Sequence, residues 1–294
     1  MVDLPAAYAS CERVARAHYE NFPVASALVP RPMRAHIAAV YAFARAADDF
    51  ADEGDRPAGD RYRLLDGWHR RLLASVSATS DARPPAPGEP DESIEMFQAL
   101  GATIQAKALP VELFEDLLSA FRQDVSVTRY ATWHDLFDYC RRSANPVGRL
   151  VLRIAGYRDD RLDGQSDAIC TALQLTNFWQ DVGIDFARGR IYVPAEELHA
   201  HGAREEDLGR PRLSDEWTAA IAAAAGRTRA LFASGRPLCD AVRGRLRYEL
   251  RATWLGGVRI LDKLEAAGFD AAARRPSLRI ADAPWFALRL MTWP

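Results

Sequence analysis

The chain has 294 residues, 49% hydrophobic and 27% charged, with a formal net charge of −2. That length and apolar content allow a large core, in one big domain or two smaller ones, and the near-neutral charge argues against the basic field of a nucleic-acid binder. The basic residues are almost all arginine, with lysine at Lys107 and Lys263 alone, so an anion site is expected to use guanidinium forks.

Ala, Leu, Arg and Glu dominate and alternating β-branched runs are scarce, which predicts an all-α fold. In chain order the periodicity predicts helices over 6–20, 33–53, 59–77, 91–107, 110–125, 132–156, 165–187, 214–235 and 238–266. Pro30 and Pro32 precede the second of these and Gly54 follows it; Gly189 follows the helix over 165–187. The Ser-, Pro- and Asp-rich segment from Ser77 to Glu92 reads as a surface loop rather than a domain linker, because helical pattern resumes directly after it. Residues 201–214 read as a second exposed loop, and the Arg-, Pro- and Trp-containing stretch from Ala271 onward carries no assignable pattern. No fixed-period repeat is present, so a solenoid is not expected, and one all-α domain spanning 1–294 is the economical expectation. Cys11, Cys140, Cys170 and Cys239 are scattered with no CxxC pair, which fits free thiols in a reducing cytosol. There is no apolar signal segment and no run of about 18 uncharged apolar residues. The expectation is a cytoplasmic protein, soluble or at most peripheral on the inner face of a membrane.

Two acidic stretches stand out. The first is Arg45-Ala-Ala-Asp48-Asp49-Phe-Ala-Asp52-Glu53; the second is Gln174-Leu-Thr-Asn177-Phe-Trp-Gln-Asp181-Val-Gly-Ile-Asp185. Asp48 and Asp52 are four apart, as are Asn177, Asp181 and Asp185, so each set lies along one stripe of a helix. A single acid pair at this spacing is most often a solvated face or a set of salt bridges. Here there are two ladders, flanked by Tyr41, Phe43 and Phe50 in one case and by Leu173, Leu175, Phe178 and Trp179 in the other, and each has an arginine nearby. The donors are oxygens alone, with no His or Cys in register and no Glu-x-x-His pair, which disfavours zinc and di-iron and favours Mg²⁺ holding a diphosphate. Arg45, on the Asp48 face, and Arg190, beyond Gly189, are placed to grip phosphate oxygens. Gln174, one turn before Asn177, is a further candidate for phosphate or metal-bound water. Asp49 and Glu53 are expected to face slightly away. Gly183 allows either a close approach or a bend. A diphosphate so neutralised becomes a leaving group, and a carbocation left behind needs a dry aromatic pocket.

The stretch Tyr41-Ala-Phe-Ala-Arg45-Ala-Ala-Asp48-Asp49-Phe-Ala-Asp52-Glu53 resembles the first aspartate-rich motif of the squalene/phytoene synthase family. Gln174 through Asp185 and on to Arg190-Ile-Tyr192-Val-Pro resembles the second, and Tyr139-Cys-Arg-Arg-Ser-Ala-Asn-Pro-Val-Gly148 the family's central segment. The resemblance runs over about residues 10–265. It implies a single-domain all-α isoprenoid synthase fold with a central cavity, Mg²⁺ as cofactor and a prenyl diphosphate substrate. It further implies metal ligation by Asp48, Asp52, Asn177, Asp181 and Asp185, with Asp48, Asp52, Asp181 and Tyr139 as catalytic groups. Substrate contacts are implied for His18, Phe22, Tyr41, Arg45, Gln174, Arg190 and Tyr248, although a lone His18 or a packed Tyr139 or Tyr248 has a plain structural alternative.

Glu20-Asn21-Phe22-Pro23-Val24 and Thr176 through Val182 are similar to the hopanoid-pathway, HpnC-like branch of the family. That branch implies conversion of presqualene diphosphate to hydroxysqualene, beside an upstream presqualene diphosphate synthase and a downstream oxidoreductase. Gln180 stands where many relatives carry arginine, and Asn145-Pro146 where many carry Ala-Gly. The alternatives are head-to-head condensation of two farnesyl or geranylgeranyl diphosphates, giving presqualene diphosphate, squalene or phytoene, and a catalytically silent helical interaction protein. The C-terminal Trp285, Phe286 and Trp293 suggest either ordinary packing or contact with a lipid surface.

Overall fold

Helices account for nearly all the regular structure of the computed structural model, which describes residues 3–17, 28–77, 84–272 and 275–293. Among these no β-strand occurs, and an isolated parallel bridge joins Arg129 to Ile191. No helix of the described residues is long and apolar enough to cross a membrane. The helices gather into two compact units, residues 1–126 with 146–159 and residues 127–145 with 160–294. The chain passes between them three times, at 126, 145 and 159, so no linker divides them in sequence.

The first unit holds α1 (Leu4–Ala17), α2 (Arg31–Asp52), α3 (Ala58–Val76), α4 (Ser93–Lys107), α5 (Glu112–Asp124) and most of α7 (Asn145–Ile154). Helix α2 opens with proline in its first turn, where the missing N–H would have had no partner. Its core-facing side, including Ala42, Phe43, Ala46, Ala47, Phe50 and Ala51, is buried. Trp68 of α3 is fully buried against it. The indole donates to the Phe43 carbonyl at 3.1 Å and meets Phe50 and Phe97 edge-on at 5.1 and 4.6 Å. Arg71 of α3 is buried with Glu89, so the described part of the 77–92 loop is tied down by a charge pair and by the Arg71 bond to the Pro84 carbonyl.

The second unit contains α6 (Trp133–Ser143), α8 (Asp160–Gln180), α9 (Val182–Ala187), α10 (Ala195–His201), α11 (Asp215–Gly235), α12 (Leu238–Ala241), α13 (Gly244–Ala266) and α14 (Ala283–Met291). Helix α8 is its axis, packed by α6, α11, α12 and α13. A Cβ on Gly235 of α11 would lie 2.7 Å from the Gln165 carbonyl of α8, so glycine sets that crossing. Trp179 is fully buried and donates to Thr228 at 2.8 Å.

Three of the expected helices are divided. The span 132–156 breaks at Ala144, because Pro146 has no N–H to bond back to the Arg142 carbonyl and continue the helix. Asn145 there accepts a buried bond from Thr171 at 2.9 Å. The span 165–187 starts earlier, at Asp160, with Asp160 and Asp163 in the favourable N-terminal turn, and breaks at Asp181. The span 238–266 breaks at extended Val242 before Gly244, whose φ is +64°. The 201–214 segment is not wholly exposed: a 3₁₀ turn over Glu205–Gly209 buries Asp207 and Leu208. The unassigned tail forms a 3₁₀ turn (Ile280–Asp282) and α14.

None of the four cysteines is in a disulfide. Burial pushes Cys11 and Cys239 up to about 12 and Cys140 higher still, so they act as small apolar residues. Trp68→Ala is expected to destabilise the first unit by about 3–5 kcal/mol, measured by denaturant unfolding. A loss under about 1 kcal/mol would show that the aromatic cluster is not what seats α3 on α2.

Candidate active site

The first motif occupies the open side of α2. Tyr41, Ala44, Arg45, Asp48 and Asp49 are half-buried and Asp52 and Glu53 exposed, while the positions between them are buried, so the stripe expected from spacing is present. Arg45 binds along it, with one guanidinium nitrogen 3.4 Å from Asp48 and the other 2.5 Å from Asp49 and 2.6 Å from Glu53. Asp49 and Glu53 therefore belong to the same charged face and do not turn away from it. They also line a cleft of about 500 Å³ within this unit, with Phe50, Arg56, Glu89 and Pro90. Burial works against the Arg45 charge, but Asp49, Asp48 and Glu53 outweigh it and raise its pKa. Burial likewise pushes the Tyr41 phenol up, with Asp48 and Asp49 adding and Arg45 opposing. His18 and Phe22 lie outside the described residues.

The second motif spans the break between α8 and α9. The i→i+4 bonding survives the break: the Asp181 N–H donates to the Asn177 carbonyl at 2.9 Å and the Asp185 N–H to the Asp181 carbonyl at 2.8 Å. The three residues thus remain on one stripe although the helix is interrupted. The Asn177 amide donates to Asp181 at 3.1 Å. Asp181 also accepts a two-pronged contact from Arg275, whose Nη2 lies at 3.1 Å. Gln180 donates to the Pro276 carbonyl, and Gly183 lies beside Ala272 at ordinary contact distance for an added Cβ. Ala272, Arg275 and Pro276 therefore lie beside the break, neighbours that no local pattern predicts.

Gln174 is half-buried three positions before Asn177, and the Arg190 N–H donates to the Asp185 carbonyl at 2.8 Å. Arg190, Asp185, Phe178 and Tyr192 line one small cavity with Trp217. Tyr139 is buried in α6 in an aromatic cluster with Tyr130, Phe178 and Tyr192, in which Phe178 and Tyr192 stack 3.7 Å apart at 4°. Phe178 follows Asn177 directly, so this cluster adjoins the second ladder. Tyr248 is on α13, half exposed. Among the described residues, no three His, Cys, Asp or Glu side chains gather closely enough to hold a metal alone. Magnesium does not require that: it uses one or two carboxylates, keeps water and takes phosphate oxygens. The donor sets fit it, being oxygen throughout. Three carboxylates, Asp48, Asp49 and Glu53, pair with the one guanidinium of Arg45, a net −2 when all are ionised.

Arg275 and the Pro276 carbonyl are contacts that sequence reasoning did not anticipate. They lie in a segment with no helical period and reach residues nearly a hundred positions earlier, so no local signal pointed to them.

The squalene/phytoene synthase model matches residues 15–282. The hydroxysqualene synthase of Zymomonas mobilis is 41% identical over 217 residues, covering 72% of this chain and 67% of that protein. The hydroxysqualene synthase of Rhodopseudomonas palustris is 36% identical over 225 residues, covering 76% and 72%. The crystal structure of squalene synthase HpnC from Alicyclobacillus acidocaldarius superposes with a TM-score of 0.81 at 41% identity, covering 92% of this chain and 97% of that one. The all-α fold, the two acidic motifs and these similarities agree: the chain is an enzyme of the squalene/phytoene synthase family.

Proposed function

We propose that this enzyme converts presqualene diphosphate to hydroxysqualene in a Mg²⁺-dependent reaction that releases diphosphate. The observation that carries the reading is its 41% and 36% identity to proteins named hydroxysqualene synthase, with both acidic motifs complete. Asp48, Asp52, Asn177, Asp181 and Asp185 would hold the metal, which when bound neutralises the diphosphate and makes it a leaving group. Asn177 would ligate only through its amide oxygen, while its amide nitrogen donates to Asp181. Asp181 would share its carboxylate between the metal and Arg275.

Arg45 and Arg190 would grip diphosphate oxygens through charge-assisted bonds. The C–O bond breaks with its electron pair leaving on the diphosphate. The carbocation rearranges, water adds its oxygen to the product cation, and a proton is released; no reductant enters. Tyr139, Tyr130, Phe178 and Tyr192 present ring surface beside the second motif, a lining suited to positive charge that excludes water from early capture.

Gln180 supports a substrate with one diphosphate. Its amide is engaged by the Pro276 carbonyl, and it brings no cationic charge to the position where many relatives place arginine. The reading places an upstream presqualene diphosphate synthase and a downstream oxidoreductase beside this protein.

Purified enzyme with Mg²⁺ and presqualene diphosphate, without NADPH, is expected to yield hydroxysqualene, identified by mass spectrometry. Farnesyl diphosphate alone is expected to yield nothing. Presqualene diphosphate, squalene or phytoene as the product would overturn the reaction and leave the family intact. Asp48→Asn and Asp181→Asn are each expected to lower kcat/KM by about 100-fold or more with unchanged helicity, the scale of a lost charge-stabilising group. Wild-type rates in both would remove the acidic motifs from the chemistry. Gln180→Arg is expected to introduce condensation of two farnesyl diphosphates; an unchanged product spectrum would count against the single-diphosphate argument.

A further inference from the structure

Helix α9 closes through Gly189, whose φ is +78°. The Gly189 N–H donates to the Phe186 carbonyl at 2.9 Å and the Arg190 N–H to the Asp185 carbonyl at 2.8 Å, the paired bonds of a glycine-terminated helix. This cap fixes the backbone of Arg190 against that of Asp185, and the two residues line the same small cavity. The Gly189 carbonyl lies beyond the cap, where no further helical turn supplies it with a donor.

Arg129 supplies one. Its Nη1 donates to the Gly189 carbonyl at 2.6 Å and to the Thr128 carbonyl at 2.8 Å. The Thr128 carbonyl also accepts the Ile191 N–H at 3.0 Å, beside the parallel bridge between Arg129 and Ile191. The peptide groups on both sides of Arg190 are thus fastened to residues 128–129, with Arg129 lying 60 positions before Gly189. The rest of the guanidinium is held by Glu205, at the start of the 3₁₀ turn. Its carboxylate accepts from Nε at 3.0 Å and from Nη2 at 3.1 Å.

An exposed Arg–Glu pair contributes little by itself, because solvent screens it and two long side chains must be ordered. Arg129 differs in what it joins. One edge of its fork closes on a carboxylate and the other on two backbone carbonyls, charge-assisted bonds that share one planar group. A lysine, with a compact ammonium on a flexible stem, could not span both sets at once. We infer that Arg129 is a positioning residue for the diphosphate: it holds the Gly189–Ile191 turn, so that Arg190 reaches the leaving group from a fixed backbone. Arg129 acts through Arg190 and not by contact with substrate, its own charge being balanced by Glu205. This role rests on the proposed grip of Arg190 on diphosphate oxygens.

The test is a double-mutant cycle on the full-length protein, read as the Kd of inorganic pyrophosphate with Mg²⁺ by isothermal titration calorimetry. Arg129→Met is expected to raise Kd roughly tenfold, within the range of coupling between residues of one network. Its unfolding midpoint should be unchanged, as for an ordinary surface substitution. Arg190→Met is expected to raise Kd at least as much. The double variant should bind no more weakly than Arg190→Met alone, because the clamp works only through that side chain. Glu205→Gln is expected to give a smaller rise, which Arg190→Met also absorbs. A merely structural Arg129 would lower the midpoint and add its loss to that of Arg190→Met; a direct pull of its charge on the anion would add as well. Additive losses, or wild-type affinity in Arg129→Met while Arg190→Met is weakened, overturn the inference. Wild-type affinity in Arg190→Met would instead remove the grip of Arg190, and the clamp with it. Presqualene diphosphate is absent from these measurements, so the identity of the product bears on neither result.

Discussion

Asp48, Asp49, Asp52 and Glu53 are four like charges on less than two turns of α2. Two charges 4 Å apart interact by about 1 kcal/mol in water and by several times that where the dielectric falls, so this density is tolerable only on a face that water and counter-charges reach. The opposite face of α2 supplies the offsetting stability, because Phe43 and Phe50 pack against Trp68 in the core of the first unit. Arg45 supplies the local counter-charge, bonded to three of the four acids at once. A buried aromatic side thus permits an acidic side that repels itself, and that acidic side is what can accept a cation.

The second motif solves a different problem. Helix α8 is enclosed by its neighbours over most of its length, and a straight continuation would carry Asp181 and Asp185 along with it. Instead the backbone departs from helical geometry at Asp181, with φ −105° and ψ 11°, and resumes in α9 while keeping both i→i+4 bonds. The spacing survives, and Arg275 and Pro276 find a place against the break. The two motifs therefore use opposite means, one an uninterrupted helix with a built-in guanidinium, the other an interrupted helix with a guanidinium brought from a remote segment.

Much of this was legible in the residues. Apolar period and proline or glycine punctuation located α2, α3, α4, α5 and α11 to within a few positions, because each is long and one-sided. The acid spacing placed the first stripe on a helix and the second on a helix that is interrupted at Asp181. What escaped had physical causes. Short α10 and α14 carry too few turns for a period to register. The breaks at Ala144 and Val242 lie within strongly helical composition, and the Pro146 signal was outweighed by the residues around it. Asp49 and Glu53 were misjudged because angular position on a bare helix ignores the reach of Arg45, which extends over two turns and gathers them in. Arg275 escaped because a contact from outside any periodic segment leaves no trace in local pattern.

The threading of the chain through its two units has a consequence for biosynthesis. The first unit needs residues 146–159, so it stays incomplete on the ribosome until well after its helices up to Ser126 have emerged, and 127–145 must wait for partners synthesised later still. Neither half is a contiguous segment that could be excised by a single cut, traded by recombination at one junction, or expressed alone with its full complement of helices. Evolution of this chain is thereby steered toward changing side chains on a fixed topology, with the enzyme inherited as one piece.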